Sequence, residues 1–175
     1  ASMSLDEVKP SSLSKFGIGR SLLKKERFSE AIGYFKEAAE LAETPEGKSN
    51  SYKYIALTQL SLKQYSSAKT YALKMIAVNP NSADAYMILG DAYLYGSRTV
   101  GENPCEQAGG YWAAPSKYAK AKSLDASLAS KANKKIESCK AQWPKKADCF
   151  FYNIVDGQSF HVGGWINEDV TVHTN

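Results

Sequence analysis

Scarcity narrows the chemistry of this sequence before any motif is sought. Its 175 residues hold only three cysteines and two histidines. The cysteines, at 105, 139 and 149, form no Cys-x-x-Cys pair, so a zinc site of the usual spacing is excluded and no metal is expected. No apolar run approaches the roughly 18 residues that span a bilayer. The G-x-x-x-x-G-K-[ST] phosphate loop, the G-x-S-x-G nucleophile elbow and the H-E-x-x-H helix are all missing. Gly17-Ile-Gly19 and Gly163-Gly164 are too short to cradle a phosphate, so no cofactor is expected. Arginine is absent from residues 117–146, although nine lysines lie there against Asp125 and Glu137 alone. A nucleic-acid face adds arginine and stacking aromatics to such a patch, so nucleic acid is not expected. The lysines read first as a solvated helix surface, with steering of acidic partners as the alternative. The opening Ala1-Ser2-Met3-Ser4-Leu5 shows no secretory signal, and residues 1–11 are expected to be a disordered N-terminus or an expression scar.

What is present describes a folded chain. Hydrophobic residues make up 43% and charged residues 23%, with a net charge of +4. That balance suits one domain with a small appendage. Three stretches align in phase. Phe28, Ala31, Phe35 and Ala38 correspond to Tyr65, Ala68, Ala72 and Met75 at a shift of 37 residues, as does Gly19 to Ala56. Ala56 corresponds to Gly90 at a shift of 34. The three additional residues of the first interval fall in Glu43-Thr44-Pro45-Glu46-Gly47, a turn-rich segment. Small residues at Gly19, Ala31, Ala56, Ala68 and Gly90 let helices approach closely, with larger neighbours filling the grooves.

Tyr86, Leu89, Gly90 and Tyr93, then Ala68, Ala72 and a closing Pro80, resemble the tetratricopeptide repeat (TPR), a helix–turn–helix unit of 34 residues. Ile18, Gly19 and Leu22 match the first-helix pattern in repeat one, and Tyr52, Ile55 and Ala56 match it more weakly in repeat two. The expected fold is mainly α: an α-solenoid of three TPR helix pairs plus a capping helix, with a short C-terminal β-hairpin-like tail. The repeats occupy about 12–45, 49–81 and 82–125 within a domain spanning 12–143. Placing Tyr111, Ala114, Tyr118 and Ala121 on Tyr65, Ala68, Ala72 and Met75 requires a 46-residue shift. Repeat three therefore carries a 12-residue insertion within the Gly/Pro-rich loop 96–110.

Asp125 offers an N-cap to a closing helix over 126–143, where Leu128, Ala132, Ile136, Cys139 and Trp143 form one apolar stripe before Pro144. Residues 144–175 read as a β-rich tail. Its predicted hairpin joins 149–155 to 158–162 around Asp156-Gly157. The repeats with the phrase Val162-Gly-Gly-Trp165-Ile-Asn-Glu168 resemble C-terminal regions of TPR proteins from Bacteroidetes bacteria. That resemblance implies an exported, periplasmic or envelope-associated protein.

The TPR resemblance also implies that first helices line an inner groove which holds a protein or peptide. Carried over by register, the groove positions are Phe16, Arg20 and Lys24, then Lys53, Tyr54 and Leu57, then Met87, Asp91 and Tyr95. The Lys/Asn clamp with which one TPR subclass grips chaperone C-termini is replaced here by Phe16, Arg20, Tyr54, Asp84 and Ile88. The leading expectation is a non-catalytic interaction scaffold, with no cofactor. The alternatives are an assembly module that pairs through its tail strands, as a homodimer or with a neighbour, and a thiol enzyme using Cys149 and His161. Cys139 lies on the apolar stripe and reads as a small buried residue. A disulfide of Cys139 or Cys105 with another cysteine stays open.

Overall fold

Hydroxyl side chains start three of the helices. In the computed structural model, which describes residues 10–175, Ser11 caps α1 (Ser12–Lys24) by accepting from the Ser14 N–H at 3.1 Å. Thr44 does the same at Gly47 (3.1 Å) for α3 (Pro45–Ser61), with Pro45 in the first turn, where its missing N–H costs nothing. Ser82 caps α5 (Ala83–Gly96) through the Ala85 N–H. The expectation for residues 1–9 lies outside the described residues, whereas Ser11 belongs to the helical domain as a cap.

Each first helix turns into a second helix: α2 (Phe28–Glu40), α4 (Tyr65–Val78) and α6 (Gly109–Leu124). The first two turns are the same motif repeated. Glu26 (φ 56°) and Lys63 (φ 58°) take the left-handed conformation just past the helix end. The following N–H groups, of Arg27 and Gln64, return to the carbonyls of Leu22 and Gln59 at 3.0 and 2.8 Å. The helices then pack in order, α1 on α2, α2 on α3, and onward to α7 (Ala129–Lys140).

Within each pair a small residue faces a side chain of matching size. Phe35 is fully buried over Gly19, where an added Cβ would come within 2.7 Å of the ring. Tyr118 is fully buried over Gly90, with an added Cβ at 2.6 Å. In the middle pair the corresponding residues are Ala56 and Ala72, both fully buried in one cluster. Volume is thus exchanged between the two helices at a fixed position, as dense packing requires.

The insertion is ordered rather than open. Two 3₁₀ turns, Ser97–Thr99 and Glu106–Ala108, join α5 to α6. Ser97 is fully buried; its hydroxyl donates to the Gln107 carbonyl (2.6 Å) and accepts from the Tyr111 N–H (3.2 Å). Pro115 lies inside α6 and leaves the Tyr111 carbonyl without its helical partner; the Trp143 indole N–H takes that place at 3.4 Å.

Two expected elements differ. The closing helix α7 begins at Ala129, after a separate 3₁₀ turn (Ala126–Leu128) capped by Asp125, and ends at Lys140, beyond which Trp143 stacks on His173, 4.5 Å between centroids. The hairpin is also displaced. Residues 146–150 form a short helix, α8 (Lys146–Phe150), and β1 (Ser159–Val162) pairs antiparallel with β2 (Glu168–Thr171) around Gly163–Asn167. The Cys149–Val155 run lacks the alternation of a half-buried strand, and Cys149 is instead tied to Cys105.

Tail and insertion bury a second small core of Cys105, Ala108, Trp112, Cys149, Ile154 and Val172. Trp112 donates its indole N–H to the His173 carbonyl at 2.8 Å. Above it, Lys117 bridges to Glu168 at 2.7 Å and the Tyr93 hydroxyl donates to the same carboxylate. Lys69 donates to the Trp165 and Ile166 carbonyls, fixing the turn between the strands; burial pulls its pKa down.

Candidate protein-binding groove

Seven of the nine groove positions fall into three groups. Phe16 and Tyr54 are half-buried and meet edge-to-face at 4.9 Å, each also against Phe35 at 5.3 Å. They join repeats one and two and form an aromatic floor. Arg20, Lys24, Leu57 and Tyr95 are exposed, the last by 55%. Lys53 is tied to Asp84 of the next first helix.

Met87 departs from the expectation. It is 5% exposed and belongs to the main core, because α5 is covered on more sides than α1 or α3. Asp91 is also engaged within the protein. It accepts from the Tyr118 hydroxyl at 2.7 Å and pairs with Lys135 of α7 at 2.9 Å. Burial, then the Asp91 charge, push the Tyr118 pKa far up, so the phenol stays a donor. Burial pulls Lys135 down, yet its bonds to the Tyr95 hydroxyl and Asp91 outweigh this and leave its pKa above the usual value.

Three lysines absent from the expected set complete the far end of this face. Leu94, Tyr95, Tyr111, Lys131, Lys134 and Lys135 line a cleft of about 490 Å³ between α5, α6 and α7. The lysine excess of residues 117–146 was the signal for them, but sequence alone did not separate Lys131 and Lys134 from Lys117, which holds the tail. Of the acids along this face, Asp84 and Asp91 each lie in an ion pair and Glu46 is exposed beside Lys53 and Asp84, against exposed Arg20, Lys24, Lys131 and Lys134. The face is therefore positive.

The thiol chemistry considered for Cys149 and His161 is corrected by the fold. Cys149 is bonded to Cys105 (Cα–Cα 5.2 Å), which leaves no thiolate to attack. His161 stands exposed on β1 with Nδ1 2.7 Å from Asp169. Cys139 is the remaining thiol and is fully buried; burial pushes its pKa up to about 12, so it is an inert packing residue. Among the described residues no cluster of His, Cys, Asp and Glu could hold a metal. Nor is any described helix long and apolar enough to cross a membrane.

Comparison with known proteins rests on shape. No family profile matches the chain, and no curated protein matches its sequence. A thermophilic TPR protein of Thermus thermophilus, known from its crystal structure, superimposes with a TM-score of 0.56 over 75% of this chain and 74% of that chain. Sequence identity between the two is 21%. The fold is the tetratricopeptide solenoid. Its third repeat is opened by the disulfide-tied insertion, and a capping helix and the two-stranded tail follow.

Proposed function

We propose that the protein is a non-catalytic scaffold that holds an acidic segment of a partner protein along the face formed by α1, α3, α5 and α7. The TPR fold supports binding of proteins in general. The observation that carries the finer reading is the charge balance of the groove: Asp84 and Asp91 are neutralised within the protein, and four exposed cations, Arg20, Lys24, Lys131 and Lys134, outnumber the one exposed acid, Glu46. Uncompensated cations steer acidic partners and hold them over a Debye length of about 8 Å at physiological salt. Leu57 and Tyr95, exposed by 40% and 55%, supply apolar contact between the charges.

The test is fluorescence anisotropy with two labelled peptides of equal length and aromatic content, one acidic and one basic. The acidic peptide should bind, more weakly as salt rises, and R20E/K24E and K131E/K134E should each lower its affinity. All four residues are exposed, so thermal stability should hold. Equal binding of both peptides, or binding unaffected by either double variant, refutes the reading. An exported or envelope location of the Bacteroidetes kind, suggested by the tail phrase, is supported by the Cys105–Cys149 bridge, since such bonds persist in oxidising compartments. Recovery of that bridge in reduced form from intact cells would argue against it.

A further inference from the structure

Beyond the groove, one surface feature has no partner among the described residues. Phe150 and Phe151 are 74% and 81% exposed, and Tyr152 and Val155 are 41% and 40% exposed. Four large apolar side chains thus lie within six residues, and contiguous apolar surface of this kind marks a site of interaction. The segment is pinned at both ends. Cys149 before it is buried and bonded to Cys105, and Ile154 within it is buried. The Ile154 N–H closes the turn on the Cys149 carbonyl at 3.1 Å, with Asn153 at φ 57°. Phe151 and Tyr152 meet edge-to-face at 5.2 Å. The chain goes in, out and in again, and the aromatic tip is held out by covalent and hydrogen-bonded anchors.

Area and charge decide what this tip meets. A symmetric contact between two copies made by these four side chains alone would bury about 900 Å², below the roughly 1,200 Å² of a specific protein–protein contact. A lipid surface needs no such matched area, because aromatic rings enter the headgroup region one at a time. Lys145 and Lys146 lead directly into the tip and are exposed. Of the nearby acids, Glu137 is paired with Lys140, while Asp148 and Asp156 stand exposed, Asp156 accepting from the Thr174 N–H. Exposed lysines beside exposed aromatics match the two layers of an anionic bilayer surface, phosphate above and hydrocarbon below.

We propose that the Phe150–Val155 knuckle docks the protein onto an anionic lipid surface, with Phe150 and Phe151 entering the headgroup layer and Lys145 and Lys146 meeting lipid phosphates. The attachment is peripheral and independent of the groove, so the protein can hold its partner while resting on a membrane. The disulfide serves this site by fixing the base of the knuckle.

Flotation of the full chain with vesicles tests this, using phosphatidylcholine alone or mixed with phosphatidylglycerol. The protein should float with the mixed vesicles and not with phosphatidylcholine alone, and added salt should release it. F150S/F151S should lower the partition coefficient by at least about 100-fold, since it removes two buried aromatics. K145Q/K146Q should lower it by about 30-fold, from two lost lysine–lipid attractions. Both variants change exposed residues, so an unmoved thermal midpoint shows that the fold is intact. Failure of the wild-type chain to float with mixed vesicles overturns the proposal, as does undiminished flotation of F150S/F151S. A concentration-dependent dimer of the wild-type chain that F150S/F151S disperses also overturns it, and assigns the knuckle to a second copy.

Discussion

The exchange of volume between paired helices can be measured at Gly90. An alanine there would place its Cβ 2.6 Å from Cε1 of Tyr118, where ordinary contact begins at 3.4 Å. The ring would have to retreat by roughly 1 Å in a close-packed interior. It has little room to do so, because it is fully buried and its hydroxyl is bonded to Asp91, which is itself paired with Lys135. Overpacking of this kind costs about 1–3 kcal/mol, while alanine gains about 1 kcal/mol over glycine in helix propensity. Gly90→Ala alone should therefore destabilise by up to about 2 kcal/mol, and Gly90→Leu, which adds three more carbons, by about 3 kcal/mol. Tyr118→Ala alone leaves a cavity and costs about 3–5 kcal/mol. Together, Gly90→Ala and Tyr118→Ala recreate the Ala56–Ala72 solution of the middle repeat. With the ring gone the new methyl meets no clash, and only its propensity gain remains. Urea unfolding followed by far-ultraviolet circular dichroism should then show a favourable coupling of about 1–3 kcal/mol between the two changes. Additivity within about 0.5 kcal/mol would refute the claim that these two residues set the spacing of α5 and α6.

Further perturbations probe other parts of the molecule. Breaking the Cys105–Cys149 bridge frees a loop of 44 residues, worth about 4 kcal/mol of chain entropy; a urea midpoint insensitive to reductant would show that the bridge contributes nothing. Burial, with nearby carboxylates, holds protons on Tyr93 and Tyr118 above the usual phenol range, and burial raises Cys139 to about 12. The unfolded chain releases these protons first, so the contribution of these three groups is constant below about pH 9 and then falls by roughly 1.4 kcal/mol per pH unit through Cys139, more steeply above about pH 10 as the tyrosines join. Cys139→Ala should move that onset to about pH 10, and an onset that stays near pH 9 would contradict the assignment. Glu26 and Lys63 adopt a left-handed conformation that glycine adopts freely, so Lys63→Gly should stabilise by about 1 kcal/mol in thermal unfolding, as should Glu26→Gly.

The solenoid was legible because its signals are local and repeated. Gly19, Ala56 and Gly90 mark the close approaches by composition, and helix periodicity places their partners. The 12-residue insertion was legible as a break in phase, but its internal structure was not. Gly96 and Gly109 read there as loop residues; in the fold they are contact residues, with an added Cβ 2.5 Å from Trp165 and 2.5 Å from Val162 respectively. Nothing within 96–110 announces side chains that arrive from more than fifty residues away. The hairpin was misplaced for a related reason. Asp156-Gly157 is a strong turn dipeptide, and Gly157 does take a positive φ of 82°, but its N–H bonds to the carbonyl of Val172 rather than closing a strand with Ile154. Met87 illustrates the same limit in the groove: register alone placed it at the surface, and the elements packed around α5 bury it.

The insertion and the tail are best understood as one unit. A solenoid end must be covered, and α7 covers only one side of the last helix pair. The other side presents Val100, Trp112, Gly96 and Gly109, and it is the tail that buries them through Val162, Trp165 and Val172. The turn joining the strands is held by Lys69 from repeat two as well as by the third repeat, so the tail also spans the junction between repeats. Its strands are therefore committed within the chain, which weakens the reading in which they pair with a neighbour. Deleting residues 148–175 would not release a strand-pairing module. It would strip Cys105 of its bridge partner and uncover Trp112 and Tyr93, and the loss should appear as unfolding of the third repeat before any change in association. What the unit leaves over is its outward aromatic tip, the one part of the tail that packing does not explain.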